Sequence, residues 1–208
     1  MRAQQTLERI LAATEALLAE RDFGAVSVAQ IAAAAKSSVG AFYARFRDKS
    51  GLLHMVHERF CEEAQATMED AMDPARWEDS SLTQVVEALV AFMVRTYQDR
   101  SGLMRTFLIH GVSHPTFQER EQRLSKQMFA KLDELMSPRH GEIPHPDPAK
   151  AAAFGLQMLL GTVQSLFVVA RAGHEAHHMD ARALTKELTR AYLSYLGVET
   201  KKEQRAEK

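Results

Sequence analysis

Apolar residues recur along this chain at the spacing of one face of an α-helix, and no segment shows the two-residue alternation of a half-buried strand. Leu7, Ile10, Leu11, Thr14, Leu17 and Leu18 form a first stripe, which Phe23 and Gly24 are expected to end. Leu53, Val56, Phe60, Ala64 and Met68 form a second, in a long helix that ends before Pro74. Leu82, Val85, Val86, Leu89, Phe92 and Met93 form a third, followed by a shorter segment from Leu103 to Ile109 that Gly111 and Pro115 stop. Phe117, Leu124, Met128, Leu132 and Leu135 predict a long, polar-faced helix. Ser137 to Pro148, with four prolines and a glycine, reads as a loop. Asp147 then caps a helix with Pro148 at its first position, running to Arg171 with Gly173 as terminator. A last helix from about Asp180 to Leu196 ends at Gly197. The prediction is an all-α chain of roughly nine helices.

Residues 27–53 break this rhythm, with two short helices packed close together. Ser27 and Gln30 have the spacing of a capping box, in which each side chain serves the other residue's amide. Val28, Ile31, Ala32 and Ala35 supply a buried face, whose small alanines let a second helix cross at close range. Ala35 to Ser37 is the turn, and Ser37 or Ser38 caps the next helix. That helix is about two turns long and is expected to send Val39, Phe42 and Phe46 inward. Outward it presents Ser38, Gly40, Ala41, Tyr43 and Arg45, side chains small enough at its start to enter a DNA major groove. Asp48 caps the following helix and leaves Lys49 at an N-terminus that already favours an anion.

Charge changes the picture modestly. The chain of 208 residues has a formal net charge of −1, so any nucleic-acid contact must come from a local basic patch. Residues 1–60 carry eight Lys and Arg against six Asp and Glu, while the remainder carries 18 against 21. The basic excess lies on the end with the two short helices, as counterion release from DNA requires. A single cysteine, Cys61, allows neither an intrachain disulfide nor a cysteine-based zinc finger. The N-terminus lacks the apolar core of a signal peptide, and apolar stretches such as Leu166 to Ala170 look too short to span a bilayer. A cytoplasmic protein with no membrane partner is expected.

The segment from Ser27 to Leu53 resembles the N-terminal region of TetR-type transcriptional regulators. It matches their pattern at Ile31, Ala32, Ala35, Ser38, Gly40, Phe42, Tyr43, Phe46, Lys49, Leu52 and Leu53. It departs at Lys36, where glycine is common, at Ser37, where valine is common, and at Arg45, where histidine is frequent. A side chain at position 36 costs energy if the turn needs a positive φ. The resemblance implies a helix-turn-helix head over residues 1–50, a ligand-binding and dimerisation body over 51–198, and a charged tail over 199–208. It also implies that Ser38, Val39, Gly40, Ala41, Tyr43 and Arg45 face DNA, with Tyr43 and Lys49 on phosphates and Ser27 and Gln30 near the backbone or a base edge. Arg45 is the residue expected to pair with a guanine or clamp a phosphate, and Lys36 adds a phosphate partner.

TetR-type regulators dimerise through their last two long helices. The helix containing residues 151–173 is apolar on most sides, so a neighbour must cover it. Gly155 and Gly161 permit close approach, and with Leu166, Leu184, Leu188, Tyr192 and Tyr195 they suggest a four-helix bundle between two subunits. Two DNA-reading heads also call for a homodimer on a palindromic operator, since two-fold readers bind half-sites roughly 34–36 Å apart. The resemblance places an effector pocket among the middle helices, lined by Phe92, Met93, Met104, Phe107, His110, Phe129, Met158 and Phe167. Ten methionines suit a small apolar effector. An effector that tilts the helix following Lys49 would shift the two heads out of register with successive grooves.

Other chemistry is weaker. His54 and His57, next to Glu58, and His174, His177 and His178, near Glu175 and Asp180, raise a metal-responsive regulator as the alternative, but such histidines usually are solvated polar residues. No metal and no cofactor is expected. His57 and Cys61 stand four residues apart, as a nucleophile pair would. With no oxyanion hole in prospect, the reading is a non-enzyme with a small buried thiol. A helical interaction scaffold without DNA affinity is the alternative from a different class.

Overall fold

The computed structural model describes residues 2–111, 114–169 and 179–198. Among the described residues there is no strand, and eight α-helices account for most of the chain: α1 (Arg2–Glu20), α2 (Val28–Ala34), α3 (Val39–Tyr43), α4 (Lys49–Ala71), α5 (Leu82–Gly111), α6 (Pro115–Met136), α7 (Pro148–Gln164) and α8 (Ala181–Leu196). The expected all-α class holds, with eight helices among the described residues where roughly nine were expected. The third stripe and the Leu103 to Ile109 segment are one 30-residue helix, α5, because nothing between them breaks the helix. The first helix stops at Glu20, and Phe23–Ala25 forms a separate 3-10 turn. The proline-rich 137–148 segment also carries a 3-10 turn, Ser137–Glu142. Helix α7 passes at Ser165 into a π-helical turn to Val169. Arg171, Gly173, the His174–His178 cluster and the 199–208 tail lie outside the described residues.

Chain contacts divide the molecule into two compact units. The first comprises Met1–Ala66 and Arg100–Leu124. Its core joins the stripe of α1 (Ile10, Leu11, Leu18) to Ile31, Phe42, Phe46, Leu52, Val56, Leu103, Phe107 and Phe117. Helix α5 crosses α1 at Gly102, where a Cβ would stand 2.3 Å from the Leu18 carbonyl oxygen. Arg59 of α4 ties the same helices together with charge. It reaches Glu8 at 3.1 Å, Glu15 at 3.5 Å and Glu63 at 2.9 Å, while Arg100 meets Glu63 at 2.9 Å. Burial works to raise the Glu63 carboxyl, but hydrogen bonds from Arg59 and Arg100 hold it below its ordinary value.

The second unit comprises Thr67–Asp99 and Ser125–Lys208. Arg139 is buried in its 3-10 turn and donates to the carbonyls of Ser80 at 3.0 Å, Leu135 at 2.9 Å and Trp77. Helix α7 starts with Asp147 accepting from the Lys150 amide and Pro148 at the first position, as expected. Helix α8 starts with Asp180 accepting from the Ala183 amide and ends at Gly197 with φ 78°. The segment Pro148–Val168 is 21 residues long with mean hydropathy 1.5, so by length and composition it passes for a membrane span, contrary to the sequence expectation. Packing within the chain accounts for part of the composition: Ala151, Ala152, Leu156, Leu159 and Val163 are buried, while Phe154 and Met158 are exposed.

Candidate nucleic-acid interface

Local chemistry builds this site almost residue by residue. Ser27 Oγ accepts from the Gln30 amide at 3.2 Å, and Gln30 Oε1 accepts from the Ser27 amide at 2.8 Å, so the expected capping box is complete. At the other end of α2, the Lys36 amide donates to Ala33 and the Ser37 amide to Ala32, at 3.0 and 2.9 Å. These are the two bonds of a Schellman ending, which needs a left-handed residue after the cap. Lys36 fills that place with φ 49°. The side chain there costs about 1 kcal/mol relative to glycine. Lys36→Gly is therefore expected to stabilise the fold by about 1 kcal/mol, raising Tm by roughly 2–4 °C. An unchanged or lower Tm in a thermal melt would show that the turn is not strained.

Ser38 opens α3, its Oγ accepting from the Ala41 amide at 3.0 Å. Phe42 and Phe46 anchor the helix inward, at 0% and 3% exposure. Periodicity turns Val39 inward and the family resemblance turns it toward DNA; it is 43% exposed, in line with the second. It is the first residue of a five-residue helix and reaches past the core that Phe42 fills. Ser38, Val39, Gly40 and Tyr43 thus share one solvent-facing surface, with Tyr43 56% exposed and Ala41 half-buried beside it. A Cβ on Gly40 would meet only Ser38 Oγ, at 3.8 Å, so this surface stands open. Ser27, Gln30 and Lys36 are exposed on α2 and the turn. Asp48 caps α4 by accepting from the Gly51 amide at 2.9 Å.

Two basic residues expected on DNA are engaged inside the chain. Arg45 donates through Nη1 to the Ala41 carbonyl at 2.8 Å and through Nη2 to the Ala3 carbonyl at 3.2 Å. Lys49 donates through Nζ to the carbonyls of Phe23 at 2.6 Å and Val26 at 2.5 Å, with the Phe23 ring 4.4 Å beneath it. Burial lowers its ammonium from the ordinary lysine value. Sequence reasoning missed the ties to Ala3, Phe23 and Val26 because these partners lie 42, 26 and 23 residues away.

The expected pocket residues fall in both units. Met104, Phe107 and His110 belong to the first. Phe107 is buried against the rings of His57, Phe60 and Phe117, and His110 packs edge-on to Phe23 at 5.2 Å. Phe92, Met93, Phe129, Met158 and Phe167 belong to the second, where Met93 is buried, Met158 is exposed and the three phenylalanines are half-buried.

Of the residues expected between subunits, Gly155, Leu184, Leu188 and Tyr192 are buried by their own chain. A Cβ at Gly155 would lie 1.8 Å from the Tyr192 ring, whose hydroxyl donates to the Ala152 carbonyl at 2.6 Å. Tyr195 remains 37% exposed, Gly161 stands open and Leu166 is half-buried. Phe154 and Met158, at 51% and 38%, extend the same exposed set, with the Phe154 ring 5.4 Å from Tyr195. Phe154 could not be singled out from sequence, because α7 is apolar on most sides.

The cysteine and histidines of α4 do not assemble reactive chemistry. Cys61 Sγ lies 3.7 Å from His57 Nε2, as the four-residue spacing predicts. Burial nevertheless pushes the thiol up to about 11, so it stays protonated near neutral pH. His57 is fully buried and stacked on Phe117. Among the described residues, no three His, Cys, Asp or Glu side chains are grouped to hold a metal ion.

Comparison with known families agrees with this architecture. Residues 10–56 match the family model described as bacterial regulatory proteins, tetR family. Residues 81–196 match the model described as the tetracyclin repressor-like C-terminal domain. No curated protein matches the chain. Among solved structures, it is similar to a Mesorhizobium loti protein described as a TetR-family transcriptional regulator, with 18% identity, TM-score 0.75, and 95% of this chain and 98% of that one covered. It is also similar to the regulator FadR from Bacillus subtilis in complex with stearoyl-CoA (17%, 0.64, 90% and 98%). A third is NalD from Pseudomonas aeruginosa, the secondary repressor of the MexAB-OprM multidrug efflux pump (17%, 0.64, 93% and 97%). At these identities the likeness is one of fold.

Proposed function

Because the chain belongs to the TetR family of bacterial regulatory proteins, we propose that it is a cytoplasmic, non-catalytic homodimeric repressor, released from a palindromic operator by a small apolar effector. One observation carries the DNA-binding half: a short, capped helix, α3, presents Ser38, Val39, Gly40 and Tyr43 outward on a turn held by the α2 Schellman ending. Small residues at its start let the backbone approach base edges, and the Tyr43 hydroxyl serves a phosphate. Ser27, Gln30, Lys36 and Ala41 complete the surface. Ser27 Oγ and Gln30 Oε1 are engaged in the capping box, so Gln30 offers its Nε2 hydrogens. In this reading residues 1–50 are the head, 51–198 the body and 199–208 a tail.

The exposed Phe154, Met158, Gly161 and Tyr195 are the natural seat of a second copy, since a contiguous apolar face of this kind calls for a cover. For the effector, a protein of the same fold in complex with stearoyl-CoA, whose acyl chain is apolar, supports a molecule with an apolar part, and the half-buried Phe92, Phe129 and Phe167 and the buried Met93 supply adaptable apolar surface. Release requires the effector to bind the DNA-free state more tightly than the DNA-bound one.

The test is enrichment of duplexes from a randomised pool by the purified protein, with light scattering on the same sample. An inverted repeat with half-sites about one helical turn apart is expected, bound by a dimer. A monomer, or enriched duplexes without two-fold symmetry, would defeat the reading.

A further inference from the structure

The lysine at the start of α4 faces into the protein. Lys49 Nζ is held by two carbonyls at once, those of Phe23, the first residue of the 3-10 turn Phe23–Ala25, and Val26, which follows it. The same ammonium stands 4.4 Å over the Phe23 ring, a cation–π placement that helps compensate its partial loss of water. The Phe23 ring in turn packs edge-on to His110 near the end of α5. Val26 is buried and immediately precedes Ser27, the N-cap whose box with Gln30 sets the direction of α2. One side chain therefore joins the N-terminus of α4 to the segment that aims the first helix of the DNA-reading pair. Two of its three N–H donors are used in doing so. The side chain is half-buried, and the desolvation that lowers its ammonium is what contact with carbonyls and a ring, rather than with water, entails.

We propose that Lys49 is a positioning residue, which fixes the entry of α2 against α4 and so presets the pose of α2 and α3, and that it is not a phosphate ligand. The inference rests on the DNA-binding reading for its functional meaning, though its structural half is independent of that reading. The two roles separate by salt dependence. A lysine that neutralises a phosphate contributes about 0.9 to the slope of log K against log salt, whereas a lysine that only orients the helices contributes none.

The experiment uses the full chain as wild type, Lys49→Gln and Lys49→Arg, with amide hydrogen exchange and with titration of a duplex enriched by the wild-type protein from a randomised pool. Lys49→Gln is expected to speed exchange at least tenfold at the Val26, Gln30 and Ile31 amides, leaving α7 and α8 unaffected. It is also expected to weaken duplex binding about tenfold with an unchanged salt slope. Lys49→Arg keeps a charge for any phosphate but not the compact ammonium that fits two converging carbonyls, so it too should speed exchange and weaken binding. Should Lys49→Gln fail to fold, the arginine variant decides alone. Wild-type exchange in either variant, with a slope lowered in Lys49→Gln or wild-type affinity in Lys49→Arg, would overturn the proposal. If the wild type enriches no duplex at all, the regulator reading fails, while the exchange data still decide whether Lys49 holds the turn.

Discussion

Gly102→Ala is expected to destabilise the protein by about 3 kcal/mol, although alanine is the better helix former. In an exposed helix the exchange would gain about 1 kcal/mol. At position 102 the added Cβ meets backbone: the Leu18 carbonyl oxygen at 2.3 Å, and Cα and the carbonyl oxygen of Ala19 at 2.9 Å. No rotamer change relieves a clash with main chain, so α1 and α5 must part. Parting them loosens contacts around Leu18, Leu103 and Phe107 in the core of the first unit. The sign of the effect is therefore diagnostic. A urea midpoint that falls with an unchanged m-value would place the loss in native packing. A midpoint that rises would mean that the crossing at Gly102 is not close.

The same glycine shows where sequence reading reaches its limit. Seen along the chain, the stripe ending at Met93 and the Leu103 to Ile109 segment read as two helices, with no role for Gly102 between them. Seen in the fold, it is the point of closest approach within one continuous helix. Features that depend on neighbours within about four residues were legible: the Ser27–Gln30 box, the Asp147–Pro148 start and the Gly197 stop all form as expected. So was the tension at Lys36, whose left-handed backbone is the departure from glycine made visible. Features that depend on distant partners were not. Arg45 and Lys49 are long cations, and nothing local distinguishes an outward phosphate contact from an inward carbonyl one. Periodicity alone put Val39 inward, against the family resemblance, because a five-residue helix is too short for periodicity to define its faces. In α7 an apolar residue at every turn hid which side the chain keeps for itself. Gly155, Leu156 and Val163 are buried within the chain, while Phe154 and Met158 remain exposed.

The α2–α3 surface is best probed with a change that alters charge without touching packing. Gly40 meets that need: a Cβ there finds only Ser38 Oγ at 3.8 Å, and an α-helical position tolerates glutamate better than glycine. A carboxylate at the centre of the Ser38, Val39, Tyr43 face would lie against the phosphates of any duplex seated on it, once in each subunit. Like charges brought together at an interface cost several kcal/mol, so affinity should fall about 100-fold or more. The decisive measurement is a fluorescence-anisotropy titration of a duplex enriched by the wild-type protein, performed side by side with wild type and Gly40→Glu at matched salt, after thermal melts have shown equal stability. Binding by the wild type that is lost in the variant is the predicted result. Equal affinity in two equally folded proteins would mean that α3 does not lie against DNA.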